Sequence, residues 1–193
     1  MLASPRHPHR GLFALAGLML ALVLPRSLAA SVVLPATLDE LAAEADLIVH
    51  ARIARVDTRQ APGTLRVERV VTLDVVRVLK GSPGEALQLV LPGGTYGRYR
   101  TVVPGVPEVA EGEEVVLFLR PSPNGATHLL GFSQGIVRVR IDPSTGQRMV
   151  AASVMSEAAG PVVRGAPDRG PQPLVTLEAR IARVVLAQLR GRR

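Results

Sequence analysis

The spacing of apolar residues changes at Leu47 and does not change back until Leu174. Ahead of that point Leu38, Leu41 and Ala45 recur at helical intervals, whereas Ile48, His50, Arg52 and Ala54 alternate with Val49, Ala51, Ile53 and Val56. Alternation places successive side chains on opposite faces, as in a half-buried strand. The segment Val67 to Leu79 (VERVVTLDVVRVL) is β-branched and long enough for a bent strand that serves two parts of a barrel. Shorter strands are expected at 86–91, 115–120, 127–132, 136–141 and 147–153, with turns at Pro62-Gly63, Lys80 to Gly84, Pro121 to Gly125 and Asp142 to Gly146. His50, in alternation with Ala51, is read as an exposed or edge strand residue. The expected buried set is Ile48, Ile53, Val75, Val78, Leu89, Val116, Phe118, Leu129 and Val139.

Two helices flank this β region. Thr37-Leu38-Asp39-Glu40 is a capping box, in which the Thr37 hydroxyl accepts from the N3 amide and Glu40 reaches back to the Thr37 amide; about two turns follow, to Ala45. Residues 157–173 (EAAGPVVRGAPDRGPQP) read as a linker. Beyond it, Leu174, Leu177, Ile181, Val184, Val185 and Leu189 form one stripe of an amphipathic helix that is expected to dock on the barrel or on a partner. The fold class is therefore mainly β: a small OB-like antiparallel barrel with a short N-terminal helix and a C-terminal amphipathic helix. Its expected divisions are a signal peptide over 1–29, a barrel domain over 30–156, the linker over 157–173 and the helix over 174–193.

Residues 1–29 carry the pattern of an export signal. Arg6, His7, His9 and Arg10 precede an uncharged run from Gly11 to Leu24, too short to span a bilayer, and Ser27-Leu28-Ala29 supplies small residues for cleavage. Cleavage is expected after Ala29, with Ala30 as a second choice. The expected location is periplasmic or extracellular, with no stable membrane span after cleavage. The chain has 193 residues and no Cys, which excludes disulfides, Cys-ligated metal centres and thiol nucleophiles. Of its 23 basic residues all but Lys80 are Arg, and loss of Arg6, Arg10 and Arg26 leaves 20 against 16 acids, net +4. Those charges are scattered singly, as on a solvated face, so no nucleic-acid partner is expected.

Three short patterns carry a resemblance: Ala45-Asp46-Leu47-Ile48-Val49, then Val76-Arg77-Val78-Leu79-Lys80-Gly81, then Gly112-Glu113-Glu114-Val115-Val116-Leu117-Phe118-Leu119. Their order over residues 38–141 is similar to that in uncharacterised exported bacterial proteins, and more distantly resembles the netrin-like domain of tissue inhibitors of metalloproteinases, an OB-fold barrel. The resemblance implies the barrel. It does not carry over inhibition by metal chelation, because those inhibitors use an N-terminal Cys backed by disulfides. Physically, Gly81 punctuates the long strand through a positive φ, and Lys80 needs no chemical role.

Gly131-Phe132-Ser133-Gln134-Gly135 matches the G-x-S-x-G nucleophile elbow, yet the strand-like Ile136 to Ile141 follows where a helix is required, and no His lies beyond His128. A turn between strands is the better reading. His50 and His128 are too few for a His-rich metal site. Glu108, Glu111, Glu113 and Glu114 lie in one loop and read as a solvated turn; the alternative is a secreted hydrolase that uses acids of the 105–114 region, although glycoside chemistry needs two acids facing each other across a sugar. Loop 92–107 (PGGTYGRYRTVVPGVP) is the ligand-binding candidate: Gly93, Gly94 and Gly97 can turn their amides toward an anion, Arg98 and Arg100 add charge, and Tyr96 and Tyr99 are the chain's two tyrosines. No cofactor, metal site or catalytic residue is implied. The expected function is a non-enzymatic binding or structural domain of the cell envelope or extracellular space, with a protein or glycan as partner.

Overall fold

The computed structural model describes residues 36–122, 126–152 and 170–191. The expected signal peptide, the hairpin tip at 123–125 and the linker up to residue 169 lie outside the described residues.

Helix α1 (Leu38–Glu44) starts at the expected capping box, with the Glu40 amide donating to Thr37 Oγ1 at 3.2 Å and the Thr37 amide to Glu40 Oε2 at 2.7 Å. Strands β1 (Leu47–Gln60) and β2 (Val67–Lys80) pair along their length, and β2 pairs with β3 (Leu87–Pro92). A two-stranded hairpin follows, β4 (Gly94–Tyr96) and β5 (Tyr99–Thr101), inside the segment expected to be irregular. Then come β6 (Glu114–Pro121), β7 (Thr127–Leu129), a 3-10 turn (Phe132–Gly135), β8 (Ile136–Ile141) and β9 (Arg148–Ala152). The short β10 (Gln172–Pro173) leads directly into helix α2 (Leu174–Gly191).

The order β1-β2-β3-β7-β6, with β6 returning to β1, closes a five-stranded ring. This is an OB-like barrel. Closure departs from the expected all-antiparallel pairing at one place, where β3 runs parallel to β7 through the pair Leu89 and Thr127. Strands β8, β9 and β10 extend the sheet outward from β6.

Two cores result, one on each side of β1 and β6. Val49, Ala51, Ile53, Val71, Leu89, Val115 and Leu117 fill the barrel, whereas Ile48, Val116, Phe118 and Val137 face outward against Leu38 and Leu41 of α1 and Leu177 and Ile181 of α2. Both faces of β1 are therefore dry over Leu47–Ala51, and the alternating pattern there is buried on both sides. His50 falls in this stretch and is 5% exposed, which corrects its reading as an exposed strand residue.

The expected core also needs correction at β2. Val75 and Val78 are 37% and 42% exposed, because β3 accompanies β2 only from Glu68 to Leu73 and the rest of the strand leaves the ring with β1 as its neighbour. Leu129 is half-buried, and the other six expected positions are buried. The C-terminal helix packs on its own barrel: Leu174, Leu177 and Ile181 are buried, Val184 and Val185 partly so, while Leu189 of the expected stripe is 57% exposed. No helix among the described residues is long and apolar enough to cross a membrane.

Candidate functional site

The β4–β5 hairpin stands on the end of the barrel where β1 gives way to β2. Its turn is Gly97-Arg98, with Gly97 at φ 56, a left-handed conformation suited to a two-residue hairpin loop. Close packing fixes its base. A Cβ on Gly94 would stand 3.2 Å from Thr58 Cγ2, and one on Gly93 3.1 Å from the Thr101 carbonyl oxygen. The Gly93 amide donates to the Val67 carbonyl at 2.8 Å, and the Val67 amide to Thr101 Oγ1 at 3.1 Å. Gly93 is thus committed to holding the loop, and the expectation that its amide faces an anion is corrected.

The hairpin's large side chains point elsewhere. Tyr96 is 49% exposed, Arg98 and Arg100 are exposed, and Tyr99 is half-buried. Arg98 lies over the Tyr99 ring, 5.2 Å from its centroid, and donates from Nη2 to Tyr99 Oη at 3.0 Å. Stacking restricts a long side chain that would otherwise lose entropy on binding. The result is an aromatic and cationic tip suited to carboxylates and to the faces of sugar rings.

Arg69 anchors the loop from below. It is 8% exposed, donates from Nη1 to Glu108 Oε2 at 2.8 Å and from Nη2 to the Pro107 carbonyl at 3.1 Å, and lies under Gly94. Nothing in its local sequence distinguished Arg69 from the chain's other arginines, so its anchoring role is found only in three dimensions.

Of the four acids expected in a solvated turn, Glu108 and Glu111 are exposed, as expected, while Glu113 and Glu114 are half-buried, and all four have partners. Besides Glu108 with Arg69, Glu111 Oε1 accepts from the Val56 amide at 3.0 Å, and Glu113 Oε1 lies 3.4 Å from Arg138 Nε. Glu114 Oε1 lies 2.7 Å from His50 Nε2 and 3.2 Å from Arg148 Nε. On the opposite edge of the imidazole, Glu178 Oε1 of α2 is 3.4 Å from His50 Nδ1, and its other oxygen is 2.7 Å from Arg77 Nη1. Both ring nitrogens of His50 thus face carboxylate oxygens. The cluster ties β1, β2, β6 and β9 to α2. Among the described residues no group of three or more His, Cys, Asp or Glu is arranged to hold a metal ion.

The G-x-S-x-G pattern forms the 3-10 turn, with Gly131 at φ 64, Phe132 at φ 55 and Ser133 buried. A Cβ on Gly135 would collide with the Leu130 carbonyl oxygen. The Ser133 amide donates to the Gly105 carbonyl at 3.0 Å, and Ser133 has no nucleophile-elbow helix after it, because β8 begins at Ile136. This is the turn between strands that the sequence favoured.

A scan against protein-family models finds no match, and a search of curated proteins finds no significant relative.

Proposed function

We propose that the protein is an exported, non-enzymatic binding domain that uses the β4–β5 hairpin to engage a protein or glycan of the cell envelope or extracellular space. The observation that carries this reading is the hairpin tip, where Tyr96 is 49% exposed beside Arg98 stacked on Tyr99 and both are mounted on a barrel end braced by Arg69. A rigid scaffold that displays aromatic and guanidinium groups favours recognition over chemistry. The N-terminal pattern of basic residues, uncharged run and small residues supports export. The netrin-like resemblance belongs to the same proposal, and the five-strand ring supports it. The hydrolase reading has less support, because Glu108, Glu111, Glu113 and Glu114 already serve Arg69, the Val56 amide, Arg138 and His50.

The test is to compare the mature protein with a Tyr96→Ala, Arg98→Ala, Arg100→Ala variant for binding to an envelope fraction and to an array of acidic and neutral glycans. The expected result is retention by the unaltered protein and loss in the variant at unchanged melting temperature. Equal retention of both would overturn the assignment of the hairpin, and N-terminal sequencing of exported material that still began at Met1 would overturn cleavage.

A further inference from the structure

Helix α2 has a second apolar stripe besides the one that docks it. Val175, Ala179, Ala182, Leu186 and Leu189 follow one another at intervals of four, three, four and three, the spacing of a coiled-coil seam. At 1.5 Å per residue the stripe runs about 21 Å along the helix. None of it is used by the barrel: Val175 is 70% exposed, Leu186 53% and Leu189 57%, and both alanines are exposed. The docked positions Leu174, Leu177 and Ile181 lie on a different face.

The flanks say what fits. Thr176, Arg183 and Arg190 recur every seventh residue along one side, and both arginines are exposed. The other side carries Glu178 and Val185, which lean on the barrel: Glu178 is held by Arg77 and His50, and Val185 packs against the helix-covered core. An incoming helix therefore meets an apolar seam with a cationic row on its open side. A second copy fits poorly. Antiparallel packing would set Arg183 and Arg190 against the same row of the copy, and parallel packing would require the side that the barrel occupies.

We propose that this stripe is a docking surface for an amphipathic helix of a partner protein whose flanking positions are acidic. Small Ala179 and Ala182 let the two backbones approach at the middle of the seam, Leu186 and Leu189 supply buried area near its end, and Arg183 and Arg190 select the partner by charge. This surface is separate from the β4–β5 hairpin and does not depend on the reading of that hairpin.

The experiment uses the full chain and two synthetic heptad peptides, each with Leu at the seam positions, one flanked by Glu and one by Lys. Fluorescence anisotropy at low salt is expected to show the Glu peptide bound about tenfold more tightly than the Lys peptide, a preference that shrinks as salt rises. Leu186→Glu should abolish binding, and Arg183→Glu with Arg190→Glu should reverse the preference. These side chains are exposed, so melting temperatures serve as a check that each variant is folded. Equal binding of the two peptides, absence of binding, or binding that survives Leu186→Glu would overturn the proposal. So would self-association of the chain that Leu186→Glu removes, which would make the occupant a second copy.

Discussion

Lys80 Nζ lies 2.8 Å from the carbonyl oxygen of Ala42. The same ammonium is 2.9 Å from the Ala43 oxygen, so the last residue of β2 closes the C-terminal turn of α1. That turn has no basic residue of its own, and its open carbonyls carry the negative end of the helix dipole. Gln188 of α2 donates to Ala43 as well, at 2.9 Å, and Arg120 of β6 to the Glu44 carbonyl at 3.1 Å. The end of α1 is thus stitched to three other elements. Lys80→Met keeps the stem and removes the charge; it is expected to cost about 1.5–3 kcal/mol in chemical denaturation, the range of hydrogen bonds to a charged group.

Gly81 serves the same junction by what it lacks. Its φ is 78, and a Cβ there would run into the Asp46 carbonyl oxygen. Gly63 has a similar φ of 70 but open space around it. Gly63→Ala should therefore show the backbone cost alone, about 1–2 kcal/mol, while Gly81→Ala should lose clearly more. Paired urea titrations measure the difference; equal losses would mean that the Asp46 contact is relieved without cost.

The G-x-S-x-G turn gives an opposed pair of outcomes. Gly135→Ala places a methyl on the Leu130 carbonyl in a buried position and is expected to cost about 3 kcal/mol. Ser133→Ala should change stability by about 1 kcal/mol or less and leave binding untouched. A serine nucleophile would invert the pattern in an activity assay, with Ser133→Ala silent in stability and lethal to turnover.

Acid should loosen the contact between the two helices. Asp39 of α1 is held below the usual carboxylate range first by its hydrogen bond from Arg180 of α2, against a desolvation effect that raises it, with the charges of Arg180 and Arg183 adding to the depression. A carboxyl lowered by folding adds stability that is present above its unfolded value and is lost as pH falls through the folded one. The side chain is 54% exposed, so the contribution is screened and small. Asp39→Asn is expected to flatten the acid limb of melting temperature against pH below about pH 4 while leaving the neutral plateau nearly level.

Much of the fold was readable because it is local. The capping box at Thr37, the strand periods and the turn at Gly81 depend on neighbours in sequence, and they fall where expected. The burial of His50 is not legible in its strand alternation because the dryness of its outward face comes from Glu178 and the helices, far along the chain. Val75 and Val78 depart from expectation for the converse reason: their pattern is that of a core strand, and only the early end of β3 at Leu87 leaves them outside the ring. In the candidate site, the exposed Tyr96 and Arg98 were legible from a glycine-rich, aromatic and basic loop. The Arg69 brace and the engagement of Glu108 and Glu113 were not, since an ion pair leaves no periodic trace in sequence.

Among the described residues the ring closes on a single parallel pair, Leu89 with Thr127, whereas β1 is paired with β2 along its length and with β6 from Leu47 to Arg52. Breathing of the domain is accordingly expected to be lopsided. In native-state hydrogen exchange, amides along the β3–β7 border are expected to open locally, and those of Ile48 and Val49, locked between two dry layers, to exchange only on global unfolding.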